Sequence, residues 1–212
     1  MAEFTLYCFA QSGNAYKAAL MLNLCGADWR PRFVDYFNGE TRTPEFRRIN
    51  PMGEVPVLEH GTRRLSQSAV ILDYLAQHFG KFGWSNDDER REILRWLLFD
   101  NHKLTSYTAT LRFMLALART GETEVTAFLR QRSRTALGIL NDHLATNDFA
   151  LGGRPTIADI SMCGYLFWPD EIGISWTGEF QHIGRWLDRI AALPGCVHPY
   201  KLMPGHPLPG RS

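Results

Sequence analysis

The sequence predicts two domains of different class, an α/β domain over residues 1–80 and an all-helical domain over residues 89–212, joined by a linker at 81–88. Three observations carry that division. Before residue 80, short apolar runs alternate with segments of helical periodicity. After residue 89, apolar residues recur only at helical spacing. The stretch between them is mostly polar and has glycines at 80 and 83.

Each element has its own signal. Residues 4–9 (Phe4, Thr5, Leu6, Tyr7, Cys8, Phe9) form an apolar and aromatic run that predicts a strand. Gln11-Ser12-Gly13-Asn14 supplies turn and cap residues, and Ala15, Ala18, Ala19 and Leu22 then repeat at helical spacing up to Gly26. A second strand is predicted over 29–36, with Pro31 confining it to an edge or to the strand's beginning. A short helix follows at 44–49. Val55-Pro56-Val57-Leu58 and residues 63–65 form a hairpin about the His60-Gly61 turn. Val70, Ile71, Tyr74, Leu75 and Phe79 share one helical face, closed by Gly80. The predicted order is β-α-β-α-β-β-α.

Beyond the linker, residues 89–119 carry an apolar stripe through Ile93, Trp96, Leu97, Leu104, Leu111 and Leu115. A helix over 123–144 is expected to turn Val125, Phe128, Leu129, Leu137 and Leu140 inward. Gly152-Gly153-Arg154-Pro155 breaks the chain before a helix at 156–168. Another helix at 180–192 stops at Pro194-Gly195. The proline-rich tail from Tyr200 predicts no regular structure. Thr156-Ile157-Ala158-Asp159 fits a capping box, with Asp159 reaching back to the Thr156 N–H.

Composition bounds the partners. With 23 Lys and Arg against 22 Asp and Glu, a net charge of +1 gives no field for nucleic acid or anionic membrane. Hydrophobic residues at 45% and charged residues at 21% of the 212 fit a folded core. The first residues show no secretory pattern, and no run approaches the length needed to cross a bilayer. Cys8, Cys25, Cys163 and Cys196 are scattered without metal or disulfide spacing, so reduced thiols and a cytoplasmic location are expected. His60 and His102 look like loop or surface histidines, and no metal constellation is legible.

Four stretches together resemble the cytosolic glutathione transferase superfamily: Ser12-Gly13-Asn14, the run from Asn50 to Pro56 (NPMGEVP), Gln67-Ser68, and Thr156-Ile157-Ala158-Asp159. The resemblance spans the whole chain. Its first stretch is similar to bacterial Ser/Thr-x-Asn members such as the Nu class. It implies a thioredoxin-like glutathione-binding domain followed by a helical domain that forms the pocket for a small hydrophobic electrophile, usually in a homodimer. It also implies a cis Val55–Pro56 bond, with the Val55 backbone pairing with the cysteinyl unit of glutathione in a miniature strand addition. Gln67 and Ser68, where a strand gives way to a helix, are expected to hold the γ-glutamyl end. Simple capping by a serine is the alternative there.

Two departures from the family stand out. Gln67 replaces a frequent acid that pairs with the ligand's ammonium group. Glu54 replaces a frequent Lys or Gln near the glycyl carboxylate, leaving Lys17, Arg42 or Arg47 to supply positive charge.

Glutathione reacts as a thiolate, and a free thiol has a pKa near 8.5. Lowering it by about two units needs about 2.7 kcal/mol. One charge-assisted hydrogen bond of roughly 1.5–3 kcal/mol and a helix N-terminus of about 0.3–1 kcal/mol meet that need without a metal. Ser12, at the head of the first helix, is the expected hydroxyl donor, with the Asn14 amide beside it. Pure helix capping by either residue is the plainer alternative, and Tyr7 and Cys8 are the competing thiol-site residues. Tyr107, Leu111 and Met114 are candidates for the electrophile pocket, with Arg112 a possible charge partner and Met203 and His206 possible lid residues. Two other activities stay open: glutathione-dependent reduction of disulfides or peroxides, and a non-catalytic interaction role.

Overall fold

The computed structural model describes residues 2–208. It divides into two compact units, one of residues 2–81 with 193–208 and one of residues 82–192.

In the first unit the elements run β1 (Phe4–Cys8), α1 (Gly13–Cys25), β2 (Trp29–Phe33), α2 (Pro44–Ile49), β3 (Val57–His60), β4 (Arg63–Ser66) and α3 (Ser68–Phe79). The β-α-β-α-β-β-α order expected of a thioredoxin-like domain is present, with β2 ending earlier than its apolar run. The four strands form one mixed sheet in the order β2-β1-β3-β4. β1 is parallel to β2 and antiparallel to β3, and β3 is antiparallel to β4.

Alternation along β1 sends Phe4, Leu6 and Cys8 into the core, while Thr5 and Tyr7 are half-buried on the other face. On the first face Phe4 meets the α3 rings His78 and Phe79. On the second, Tyr7 packs with Val34, Phe46 and Val57, so α2 covers that side. Helix α1 is buried nearly all round from Ala15 to Leu22, Lys17 included, as an interior helix of mainly small and apolar residues.

The segment after Leu193 closes over α1. Tyr16 Oη donates to the Val197 carbonyl at 3.0 Å, and Ala10 N donates to Pro204 O at 2.7 Å. Gly195 has φ +92°, and a Cβ there would lie 2.8 Å from the Asn23 carbonyl, so only glycine allows the tail this close. The tail also contains a helical turn, α10 (Pro199–Leu202), capped by His198, where the sequence predicted none. It clusters with the sheet unit, whereas the predicted boundaries assigned it to the helical domain.

The second unit is all helical: α4 (Asp87–Phe99), α5 (Thr105–Arg112), α6 (Glu124–His143), α7 (Ile157–Met162), α8 (Pro169–Ile172) and α9 (Gln181–Ala191). The long first helix of the prediction exists as α4 and α5 joined by the wider turn Asp100–Leu104 and continued by Phe113–Leu117. Ile93, Trp96, Leu97, Leu104 and Leu111 are buried as expected. The helix after Pro155 is shorter than predicted, tightening into a 3-10 turn at Cys163–Tyr165.

The inward face of α6 holds Leu129, Leu137 and Leu140 as expected and departs from expectation in its first turns. Val125 and Phe128 are exposed, whereas Thr126 and Leu129 are buried. At that end Thr123 and Thr126 exchange side-chain-to-backbone hydrogen bonds in a capping box, and Thr126 is buried. On α3 Ile71 and Leu75 are buried as expected, joined by Leu72 and Ala76, while Val70 is exposed. Among the described residues no helix is long and apolar enough to cross a membrane.

The α7 capping box forms as expected and extends further. Asp159 is fully buried. One oxygen accepts from Thr156 N at 2.9 Å and Thr156 Oγ1 at 3.1 Å. The other accepts from Ala150 N at 2.8 Å and Trp186 Nε1 at 2.9 Å. Desolvation pushes this carboxyl above its usual range, and the four hydrogen bonds pull against it. Asp159 therefore joins the loop before α7 to α9, and its loss strands several buried donors at about 1–3 kcal/mol each. Asp159→Ala should lose about 3 kcal/mol or more, a fall of roughly 6–12 °C in Tm by circular dichroism. A loss near the ~1 kcal/mol of an ordinary cap would contradict this bridging role.

Candidate functional site

Strand register decides which loops meet. Tyr7 pairs with Val57, and Val57 pairs with Ser66. The C-terminal end of β1, the start of β3 and the end of β4 therefore lie side by side. Ser12, Val55-Pro56 and Gln67-Ser68 are the segments attached to those three ends, so residues far apart in sequence share one edge of the sheet.

Ser12 is the N-cap of α1. Its backbone is extended (φ −85°, ψ 106°), and its Oγ accepts from Ala15 N at 3.1 Å. It is 6% exposed. Capping uses the hydroxyl as an acceptor, and its proton remains available to donate. Capping and thiolate stabilisation are therefore compatible at one atom. Asn14 lies in the first turn of the same helix, and its Oδ1 is buried without a hydrogen-bond partner. A buried polar atom in that condition is costly unless something else satisfies it.

The competitors are less suited. Cys8 is fully buried, and burial pushes its thiol up to about 12, far from a reactive thiolate. Tyr7 packs on Phe46 and lies under the Arg32 guanidinium, 5.1 Å from its ring centre. Its pKa is raised, first by burial and then by the charge and hydrogen bond of Glu59.

At the second segment, Val55–Pro56 is cis as the resemblance implied. Val55 precedes the first paired residue of β3, Val57, and leans on the Phe46 cluster. The preceding turn is held from within. Met52 N donates to Asn50 Oδ1 at 3.1 Å, and Gly53 N donates to Asn50 O at 2.9 Å. Gly53 has φ +67°, and an added Cβ would meet the Thr41 carbonyl at 3.0 Å, so the turn requires glycine.

At the third segment, Ser68 opens α3 and Gln67 precedes it with φ 69°. A non-glycine residue in that region costs of order 1–3 kcal/mol and marks a functional constraint when the surroundings impose it. Nothing in the residue type signalled this conformation. Gln67 Nε2 donates to Glu54 Oε2 at 3.3 Å and to Met52 Sδ at 3.0 Å. Glu54 thus stands beside Gln67. Of the cations considered, Lys17 is buried within α1. Arg42 and Arg47 are exposed, and Arg47 reaches the Pro51 carbonyl at 3.4 Å next to Gly53.

In the helical unit the three pocket candidates separate. Tyr107 lines a cavity of about 290 Å³ with Phe99, Lys103, Arg132, Thr135 and Ile139. Its hydroxyl accepts from Arg132 Nη2 at 3.0 Å, an interaction that draws its pKa down. Met114 is half-buried on the turn after α5. Leu111 is fully buried, which fits its place in the apolar core stripe and not its alternative place as a pocket residue. Arg112, read as a possible charge partner for a substrate, is spent inside the protein. It is buried, bonds Glu171 Oε2 at 2.7 Å and stacks 3.6 Å above the Trp168 ring. Met203 is buried and His206 stacks on Tyr200 at 3.7 Å, both within the sheet unit.

Comparison with known proteins agrees with this architecture. Residues 11–78 match the family described as glutathione S-transferase, N-terminal domain, and residues 102–194 match glutathione S-transferase, C-terminal domain. A maleylacetoacetate isomerase from Rhizobium meliloti (strain 1021) is 33% identical over 173 residues, covering 78% of this chain and 81% of that protein. Elongation factor 1-gamma from Equus caballus is 28% identical over 88% of this chain, which spans only 44% of that protein's length. The crystal structure of a possible glutathione S-transferase from Rhodopseudomonas palustris superposes with a TM-score of 0.88 at 35% identity, covering 93% of this chain and 98% of that one. With both domain families matched in order, and relatives above 30% identity covering most of both chains, the protein belongs to the glutathione S-transferase family.

Proposed function

We propose that the chain is a cytoplasmic glutathione transferase in which the Ser12 hydroxyl stabilises the glutathione thiolate for attack on a hydrophobic electrophile. The observation that carries this is the Ser12 cap, whose oxygen accepts from Ala15 N and leaves the proton to donate at the head of α1. Asn14, the second residue of the Ser-x-Asn pair, supplies the neighbouring amide and is the feature behind the likeness to the Nu class. The Val55 backbone receives the cysteinyl unit by strand addition, and the N-terminus of α3 at Ser68 receives the γ-glutamyl carboxylate.

Glu54 takes a role different from repulsion of the glycyl end. Hydrogen-bonded to Gln67, it places a carboxylate where the family often has an acid, and so meets the ligand's ammonium group. Arg42 and Arg47 face the glycyl carboxylate. In the helical unit, Tyr107 and Met114 remain as pocket residues for the electrophile.

The same thiolate supports a second reading. One relative is named maleylacetoacetate isomerase, and a thiolate that adds to a cis double bond and then leaves produces isomerisation rather than conjugation. Retention of Ser12 and Asn14 favours either chemistry over a purely interacting role.

Titrating the ultraviolet absorbance of the bound thiolate against pH tests the assignment. Ser12→Ala should raise the bound thiol's pKa by about one to two units and slow turnover at neutral pH accordingly. An unchanged pKa in the variant would remove Ser12 from the chemistry.

We also propose a homodimer. Leu94 and Leu98, one turn apart on α4, are 53% and 61% exposed, an apolar pair on one face of that helix. Light scattering should report twice the chain mass of 24.2 kDa, with Leu98→Glu shifting the protein toward monomer. A monomeric wild type at micromolar concentration would contradict the dimer.

A further inference from the structure

The end of the sheet opposite Ser12 holds a second cluster that the sequence did not reveal. Phe4 pairs with His60, and His60 with Arg63, so Glu3 and His60 meet where β1 begins and β3 ends. His78, in the last turn of α3, comes in beside them. We propose that Glu3, His60 and His78 bind a divalent zinc-class cation.

The geometry supports coordination. One carboxylate oxygen, Glu3 Oε1, lies 3.2 Å from His60 Nε2 and 3.4 Å from His78 Nε2. The potential ligand atoms all fall within 4.8 Å of one another. Donors arranged tetrahedrally at about 2.0–2.1 Å from a zinc ion are about 3.3 Å apart, close to the two observed separations. Two imidazoles and a carboxylate suit zinc and its first-row neighbours rather than magnesium or calcium.

The surroundings orient both rings. His60 Nδ1 lies 2.6 Å from Tyr74 Oη. With that N–H donated to the tyrosine, the Nε2 lone pair faces Glu3, the arrangement in which an outer partner sets a ligand's tautomer. The His78 ring stacks on Tyr74 at 6.1 Å and meets Phe4 edge-on at 5.6 Å. His60 lies 4.3 Å from Phe4. Both ligands are thus held against an aromatic floor, while their side chains remain 22% and 33% exposed to entering ions.

One shared cation suits this set of donors. In the tautomer that donates Nδ1–H to Tyr74, the His60 Nε2 lone pair and Glu3 Oε1 converge at 3.2 Å, a pair of donors that one cation bridges. A single divalent ion satisfies all three groups and leaves a position for water. Such a site would join the first residue before β1 to the end of α3, away from the thiol chemistry and independent of it.

Zinc chloride titrated calorimetrically into the metal-free protein is the test, with Glu3→Gln and His78→Gln alongside. Glu3 is exposed, so its variant guards against the possibility that replacing His78 disturbs packing, and circular dichroism establishes that both remain folded. One equivalent should bind to wild type and at least tenfold more weakly to each variant. Cobalt(II) in place of zinc should give visible bands without thiolate charge-transfer intensity, separating the site from Cys196. Absence of binding in wild type, or equal affinity in either folded variant, would overturn the proposal.

Discussion

Strand β1 lies inside the sheet, hydrogen-bonded to β2 on one side and β3 on the other, and its register orders everything functional around it. The Tyr7–Val57–Ser66 row brings the head of α1, the cis-proline segment and the start of α3 to one edge. The Phe4–His60–Arg63 row gathers Glu3, His60 and His78 at the other. Because side chains alternate across a strand, a slip of one residue would expose Phe4, Leu6 and Cys8 and dissolve both groupings. Burial of those three side chains therefore fixes the positions of polar residues that contribute little to the core themselves.

Within that frame the proposed thiol site relies on backbone more than on charge. A helix N-terminus, one hydroxyl and one amide surround the expected sulfur position. Their combined effect is of the size needed to bring a thiol's pKa to neutrality. The departures from the family's pattern are linked rather than separate. Gln67 lacks the acid and Glu54 has one in an unexpected place, and the two side chains touch. Gln67 makes that contact from a backbone with positive φ. The helical unit depends on a different device, the buried Asp159, whose four hydrogen bonds tie α7 to α9 and to the preceding loop.

Much of this was legible in sequence where chemistry is local. The strand and helix order of the first eighty residues follows from apolar periodicity punctuated by Gly26, Gly61 and Gly80. The capping box at Thr156 is visible because its partners are three residues apart. What escaped detection depends on distance or on packing. Glu3, His60 and His78 have no diagnostic spacing, since a sheet and a helix bring them together. Leu111 and Tyr107 look alike as members of one helical stripe, and only burial tells core from cavity lining. Arg112 gives no sign in sequence that Glu171 and Trp168 will enclose it. Val125 and Phe128 had the spacing of the core face that Leu129, Leu137 and Leu140 do form, and only burial shows that these two face outward.

The central claim is that the α1 end of the sheet holds glutathione with its sulfur at Ser12. A crystal structure of the protein with glutathione bound tests it most directly. The account predicts the sulfur within hydrogen-bonding distance of Ser12 Oγ, the cysteinyl backbone paired with Val55 and the γ-glutamyl carboxylate at the N-terminus of α3. A sulfur directed at Tyr7 or Cys8, or a tripeptide bound away from this edge, would contradict it.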